Sequence, residues 1–422
     1  MTERHDPPWD DQIPEPDAEQ LLGEWFEEEA PTREPAVLAP NVIAQTALTR
    51  RRSRWFVRDW WRDLFRLHQR PSLIPALAVS AAAGVAILLV IGLVLPGGLL
   101  GDPERSETFD IPAEAIVVSP DDEGVTATIS EAIAQADEGD TVAILPGDYV
   151  ENLVIDKDIE LIGAGRPEDV VLRPATSDEP IILIDGGDPT ISGFTISGPG
   201  NSVRIVASAP TITEMVFDDV GDQWWTYTGA GWDGFDDAAP SIMVELFSFP
   251  TIQGNIFIGG GEIEVANGSD AIITDNELTE GAAIFLNDAG DDTLVQGNRI
   301  TDSGLYSIES TSCSELVIER NIISQSDPGI AIQAGCLTGT IRDNEIRGAN
   351  VGIQLHDRTT AQITGNVIDT DGVALEIHEG AEPILTDNEL CGENAIMAVM
   401  RGGRPLELSG NTLCEGSPLI FD

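Results

Sequence analysis

The chain is short of positive charge: its 422 residues include 22 Lys and Arg against 73 Asp and Glu, and Lys157 is the single lysine. A net charge of −51 excludes nucleic acid as a main partner, because holding a phosphate backbone takes cationic side chains that displace its counterions. Cysteine is missing from the first 312 residues. Whether the four that follow are redox groups, ligands or disulfides depends on compartment. Residues 71–101 carry no charge of either sign. Apolar residues are plentiful at 42%, which excludes disorder of the whole chain. The length fits two to three domains of roughly 150 residues, or one longer repeat fold.

The charge-free run is long enough, as a helix, to cross a hydrocarbon core of ~30 Å. Residues 50–70 before it hold eight Arg and two Asp, and Asp102 and Glu104 follow it. The positive-inside rule then places the N-terminus in the cytoplasm and the chain beyond about residue 100 outside. We therefore expect a single-pass cell-membrane protein. Its parts are an acidic disordered tail over 1–49, a basic amphipathic juxtamembrane helix over 50–70, a span over 71–98, a linker over 99–114 and an extracytoplasmic domain over 115–422. The tail reading rests on twelve acids against two Arg among many prolines. The juxtamembrane helix interleaves Arg with Trp55, Phe56, Trp60, Trp61, Leu64 and Phe65, as a surface-lying helix on anionic headgroups does.

The outer domain repeats. An apolar residue, two small or polar residues, Asn, any residue and an apolar one recur at Asn255, Asn276, Asn298, Asn321, Asn344, Asn366, Asn388 and Asn411, spaced 21 to 23 apart. Phe194 and Met215 hold the same column in earlier copies. A fixed period of this size means a solenoid, and the leucine-rich frame L-x-x-L-x-L is missing. Short β-branched strands between Gly, Asp and Asn turns, with a second strand such as G-I-Q-L-H about nine residues after each Asn, predict rungs of a parallel β-helix stacked ~4.8 Å apart. The Asn column reads as a structural ladder, with Asn taking the left-handed turn conformation and its amide bonding the next rung.

The start of this domain, from S-P-D-D-E-G-V-T-A-T-I-S-E-A-I-A-Q-A at 119–136 through G-D-T-V and P-G-D-Y-V-E-N to I-G-A-G at 162–165, resembles the N-terminal segment of the pectin-lyase-like right-handed parallel β-helix superfamily. The resemblance spans about 115–422. It implies an all-β solenoid whose open end is capped by a short helix, here near residues 129–137. For activity it implies little, since such folds host lyases, hydrolases, esterases, epimerases and binding proteins.

Cys313 and Cys336 each precede their Asn by eight residues, and Cys391 and Cys414 each follow theirs by three. Each pair is therefore stacked on adjacent rungs, within the ~4.4–6.8 Å Cα range of a disulfide. We expect bridges Cys313–Cys336 and Cys391–Cys414, which suit an extracytoplasmic domain.

Two histidines fall in the outer domain, His356 and His378, each twelve residues after its Asn. Alternation points Ile353, Leu355, Leu375 and Ile377 inward and Gln354, His356, Glu376 and His378 outward. By the same count Gln333 and Glu309 precede the His pair in its column and Met400 follows it, edged by Asp357 and Arg358. Three readings compete for this strip: a solvated polar ladder, a carbohydrate groove with His and Glu as acid and base, and a copper site of His356, His378 and Met400. The last resembles the periplasmic copper-binding (NosD-type) β-helix proteins in repeat style.

Catalytic signatures are sparse. P-G-D-Y-V-E-N resembles the first block of pectin methylesterases, but paired Gln-Asp blocks do not follow. Polygalacturonase blocks are missing, with Asp291 and Asp292 standing alone. H-D-R-T at 356–359 resembles part of the D-P-H-D-R-S block of alginate epimerases, with Gln354 and Leu355 in place of the leading Asp and Pro. An insertion between Met215 and Asn255 adds about eighteen residues to one rung and holds Trp224, Trp225, Tyr227 and Trp232, a loop suited to stacking sugars or docking a protein. Asp clusters at 218–222 and 288–292 could bind calcium, although they lack the EF-hand spacing. The favoured expectation is a membrane-anchored protein that binds polysaccharide or another envelope component. The alternatives are a polysaccharide lyase, hydrolase or epimerase, or copper handling.

Overall fold

The computed structural model describes residues 111–120, 125–198, 202–220, 240–324, 330–356, 358–398, 408–414 and 419–421. The expected tail, juxtamembrane helix, membrane span and most of the linker lie outside these residues, as do Trp224, Trp225, Tyr227 and Trp232 of the insertion, Asp357 and Met400. Among the described residues no helix is long and apolar enough to cross a membrane.

The repeat winds into a parallel β-helix of three sheets with twelve strands each, in which every strand pairs with the strand one rung on. The sequence period shows two of the three strands of each rung; the residues directly after each Asn form the third, as at Glu277–Thr279 and Glu345–Arg347. One apolar position per short strand points inward, so like residues stack in columns. In the first sheet the column runs Ile252, Ile273, Val295, Ile318, Ile341, Ile363 and Leu385, all solvent-free. In the third it includes Phe217 and Phe257, stacked 4.5 Å apart. Burial of these columns drives the coil, since a single rung has no core of its own.

The Asn ladder forms as a continuous buried chain. Asn298 accepts from the backbone N–H and the side-chain amide of Asn276 at 3.0 and 2.9 Å, and donates to Asn321 at 3.0 Å and to the carbonyl of Ile273 at 2.9 Å. The same pattern repeats from Asn255 to Asn411. The left-handed residue, however, is the one before each Asn. That column reads Gly254, Asp275, Gly297, Arg320, Asp343, Gly365, Asp387 and Gly410, all with φ between 54° and 77°. Glycine and aspartate alternate there, broken once at Arg320. The Asp carboxylate of one rung occupies the space of the missing Cβ on the next: an added Cβ at Gly297, Gly365 or Gly410 would meet it at 2.5, 2.4 or 2.2 Å.

Helix α1, Ile129–Gln135, closes the N-terminal end, burying Ile129, Ala132 and Ile133. Both ends are held by charge complementary to the helix dipole. At its start Glu151 accepts from the backbone of Ile129 at 2.8 Å and of Ser130 at 2.9 Å. At its end Lys157 donates to the carbonyls of Ile133 and Ala136 at 3.1 and 2.9 Å. Asn152 pins the following turn through the backbone N–H groups of Ala175 and Thr176, and the Tyr149 hydroxyl bonds the carbonyl of Leu145. The P-G-D-Y-V-E-N segment thus serves the fold. Lys157→Met should cost about 1–3 kcal/mol, the range for charged hydrogen bonds, read as a lowered thermal midpoint; an unchanged midpoint would refute this role.

Both expected disulfides form, Cys313–Cys336 and Cys391–Cys414, with Cα atoms 4.7 and 5.0 Å apart.

Candidate functional site

The outer face of the second sheet gathers the polar and titratable groups. Strand register fixes two outward columns on it. The first runs Arg204, Met243, Glu264, Phe285, Glu309, Gln333, Gln354, Glu376 and Met397. The second contains Glu245, Gly335 and His356, with Asn287 and His378 continuing it. Alternation places the polar residues outward as expected, with Ile353, Leu355, Leu375 and Ile377 buried.

The column assignment made by counting from Asn is corrected here. Glu309 and Gln333 stand in line with Gln354 and Glu376, and Gly335 is the residue paired with His356. The turn before Ile330–Gly335 is two residues longer than the turn before Val351–His356, which moves Gln333 back by one outward position. Met397 takes the place beside Glu376, and Ala398 pairs with Ile377.

At the C-terminal end of the strip the side chains form one network. The rings of His356 and His378 stack with centroids 4.0 Å apart. Gln354 bonds His356 Nε2 through its carbonyl oxygen at 2.7 Å and donates its amide to Glu376 at 2.8 Å. Glu376 Oε1 lies 3.3 Å from His378 Nε2 without hydrogen-bond alignment, so that nitrogen is buried without a hydrogen-bond partner. Arg358 is exposed at the edge.

Met400, the third donor expected beside the two histidines for copper, lies outside the described residues. His356 Nε2 is engaged by Gln354. Among the described residues one trio of His, Cys, Asp or Glu donors converges, Glu389 with Cys391 and Cys414, and its sulfurs are joined in a disulfide. Asp218 and Asp219 are exposed on strand Val216–Val220, and Asp288, Asp291 and Asp292 lie on exposed turns.

At the N-terminal end the strip holds Glu309, expected from the sequence, and two carboxyls that sequence reasoning missed, Glu262 and Glu264. Glu262 and Glu264 share strand Glu262–Ala266, and Glu309 lies two rungs beyond Glu264 with Phe285 between. Burial, then the charges of Glu264 and Glu309, push Glu262 up to about 8. Burial raises Glu309 to about 7. Glu264 is also raised by burial, opposed by a hydrogen bond from Asn287. Tyr306 is raised to about 12 by burial and by Glu309. Other buried glutamates of the solenoid have cations: Glu245 pairs with Arg204 at 2.5 Å, and Glu319 holds Arg320 and Arg342. For Glu319, burial works against the charge but the two guanidiniums overcome it and lower its pKa. Among the described residues Glu262, Glu264 and Glu309 have no ion pair, and Glu262 Oε1 and Gln333 Oε1 are buried without a partner. The only sequence signal was outward Glu on second-sheet strands two rungs apart, invisible until register is known.

The family model for the right-handed beta helix region matches residues 234–368. No curated protein matches the chain. Among solved structures, an alginate lyase from Paenibacillus sp. str. FPU-7 is similar at 13% identity, covering 73% of this chain and 98% of that one with TM-score 0.42. The catalytic domain of an alpha-1,3-glucanase in complex with nigerose is similar at 14% identity, covering 77% and 70% with TM-score 0.48. The A-module of an Azotobacter vinelandii mannuronan C-5 epimerase is similar at 12% identity, covering 69% and 94% with TM-score 0.37.

Proposed function

We propose that this chain is a membrane-anchored, extracytoplasmic β-helix that binds a neutral polysaccharide along the outer face of its second sheet. One observation carries the reading: hydrogen-bonding side chains stand on consecutive rungs from Glu309 through Gln333 and Gln354 to Glu376. A linear polymer laid along the axis meets an equivalent donor or acceptor at every rung, ~4.8 Å apart. Glu309, which has no ion pair and is raised by burial, favours a hydroxyl over an anion, since its protonated form donates. The acidity of the chain repels an uncompensated polyuronate. The membrane anchor rests on the charge-free run and its basic flank. A glycan array probed with the parent and with Gln354→Ala tests the reading. Gln354 links both neighbours, so its loss should weaken binding about tenfold, ~1.4 kcal/mol; equal binding by both proteins would sink it.

The Glu264–Phe285–Glu309 row supports a second reading, hydrolysis of the same polymer. Two rungs separate the carboxyl-bearing residues by about 10 Å at Cα. That is nearer the ~6.5–9.5 Å carboxyl spacing of inverting glycosidases than the ~5 Å of retaining ones. Glu309, at about 7, is placed to protonate the departing oxygen while Glu264 takes a proton from water. A reducing-end assay should then show Glu309→Gln at least about 100-fold slower. Absence of product from the parent with every polymer it binds would leave binding as the whole function.

A further inference from the structure

The corner that follows strand Ile242–Glu245 is built unlike its neighbours. Leu246 and Phe247 both hold left-handed backbone, φ 57° and 61°. One rung earlier this corner uses Ala207, and one rung later Asn267 and Gly268, residues that bear the conformation at lower cost. For a large L side chain the left-handed region costs about 1–2 kcal/mol. Burial does not compensate, because Leu246, Phe247 and Phe249 are 48%, 70% and 52% exposed.

The corner is nevertheless firmly held. Ser248 is fully buried; its hydroxyl donates to the carbonyl of Glu245 at 2.7 Å, and its N–H donates to Ser269 Oγ at 3.1 Å. Ser208 N–H donates to Ser248 Oγ at 3.3 Å. The Phe247 ring rests against Gly268, where a Cβ would come within 3.1 Å of it. Strain fixed by a buried brace, presenting aromatic faces to solvent, marks a functional element.

We infer that Phe247, with Leu246 and Phe249, is a stacking platform for a pyranose ring of a neutral glycan, an end subsite of the polysaccharide face. The inference rests on the polysaccharide reading above and locates one of its contacts. Phe247 follows Glu245, a member of the column that leads to His356 and His378, by two residues across the corner, so the platform borders the same face. The strand before the corner ends in Glu245, which pairs with Arg204, and the neighbouring turns carry Asp188, which accepts from Ala209 N–H, and the exposed Asp288. A chain of charge −51 disfavours phosphate, sulfate and uronate ligands, an anionic lipid surface, and a second copy of itself. A neutral sugar offers an apolar C–H face to the rings and hydroxyl donors to the carboxylates.

The test uses the full chain in lipid nanodiscs, titrated calorimetrically with cellohexaose, xylohexaose and mannohexaose. The parent should bind at least one, and Phe247→Asn should bind it about tenfold more weakly, with Phe247→Trp restoring the affinity. Because Asn tolerates the left-handed corner, Phe247→Asn should melt no lower than the parent, and up to about 2 °C higher. A bracing role predicts the reverse, so a lower midpoint with unchanged affinity would overturn the platform alone. Binding of no neutral hexasaccharide by the parent would overturn the polysaccharide reading with it. Binding of poly-L-lysine instead, lost in Phe247→Asn, would reassign the corner to cationic peptides.

Discussion

Asn321→Ala should lower the stability of the solenoid by about 3–5 kcal/mol, because it strands several buried polar groups at about 1–3 kcal/mol each. Asn321 is solvent-free. Its carbonyl oxygen accepts from the backbone N–H and the amide of Asn298, and its own amide donates to Asn344 and to the carbonyl of Val295. No water reaches the site to replace these bonds. Asn411→Ala, at the half-buried end of the ladder, should cost distinctly less. Urea denaturation of both variants checks the order. Equal losses would show that the ladder is no stronger within than at its edge, against the additive picture of stacked repeats.

The second large effect concerns pH. Glu262 titrates near 8 and Glu309 near 7 in the fold, against 4.5 as free groups. Between those values the folded chain keeps protons that the unfolded chain releases. Stability from these groups is therefore full below about pH 4.5 and falls as pH rises through 7 and 8. The loss attributable to Glu262 amounts to about 3 kcal/mol or more by pH 9. Glutamine mimics the neutral acid, so Glu262→Gln should equal the parent near pH 5 and exceed it clearly at pH 8.5. Denaturation midpoints across this range decide it; parallel profiles for the two proteins would contradict the shift.

Much of this was legible before any coordinates. The Asn spacing gave the rungs, the cysteine spacing gave both disulfides, and alternation gave the inward face, because each depends on a period that the chain repeats. The outer face was legible only in part. Counting from Asn presumes turns of equal length, and the longer turn after Ser324 shifts Gln333 away from the His356 column. That Glu262, Glu264 and Glu309 have no cation beside them depends on which groups are not nearby, which no local pattern reports. The corner at Leu246 and Phe247 was hidden for the opposite reason. Its apolar residues look like core, and only the backbone conformation turns them outward.

The alternation of glycine and aspartate before the ladder has a consequence for how such a chain can lengthen. A carboxylate fills the hollow left by the glycine above it, at Asp275 and Gly297, Asp343 and Gly365, and Asp387 and Gly410. Copying a single rung would set aspartate on aspartate, or leave glycine over glycine. The unit that can be duplicated or excised without disturbing its neighbours is accordingly a pair of rungs, twice the period visible in the sequence.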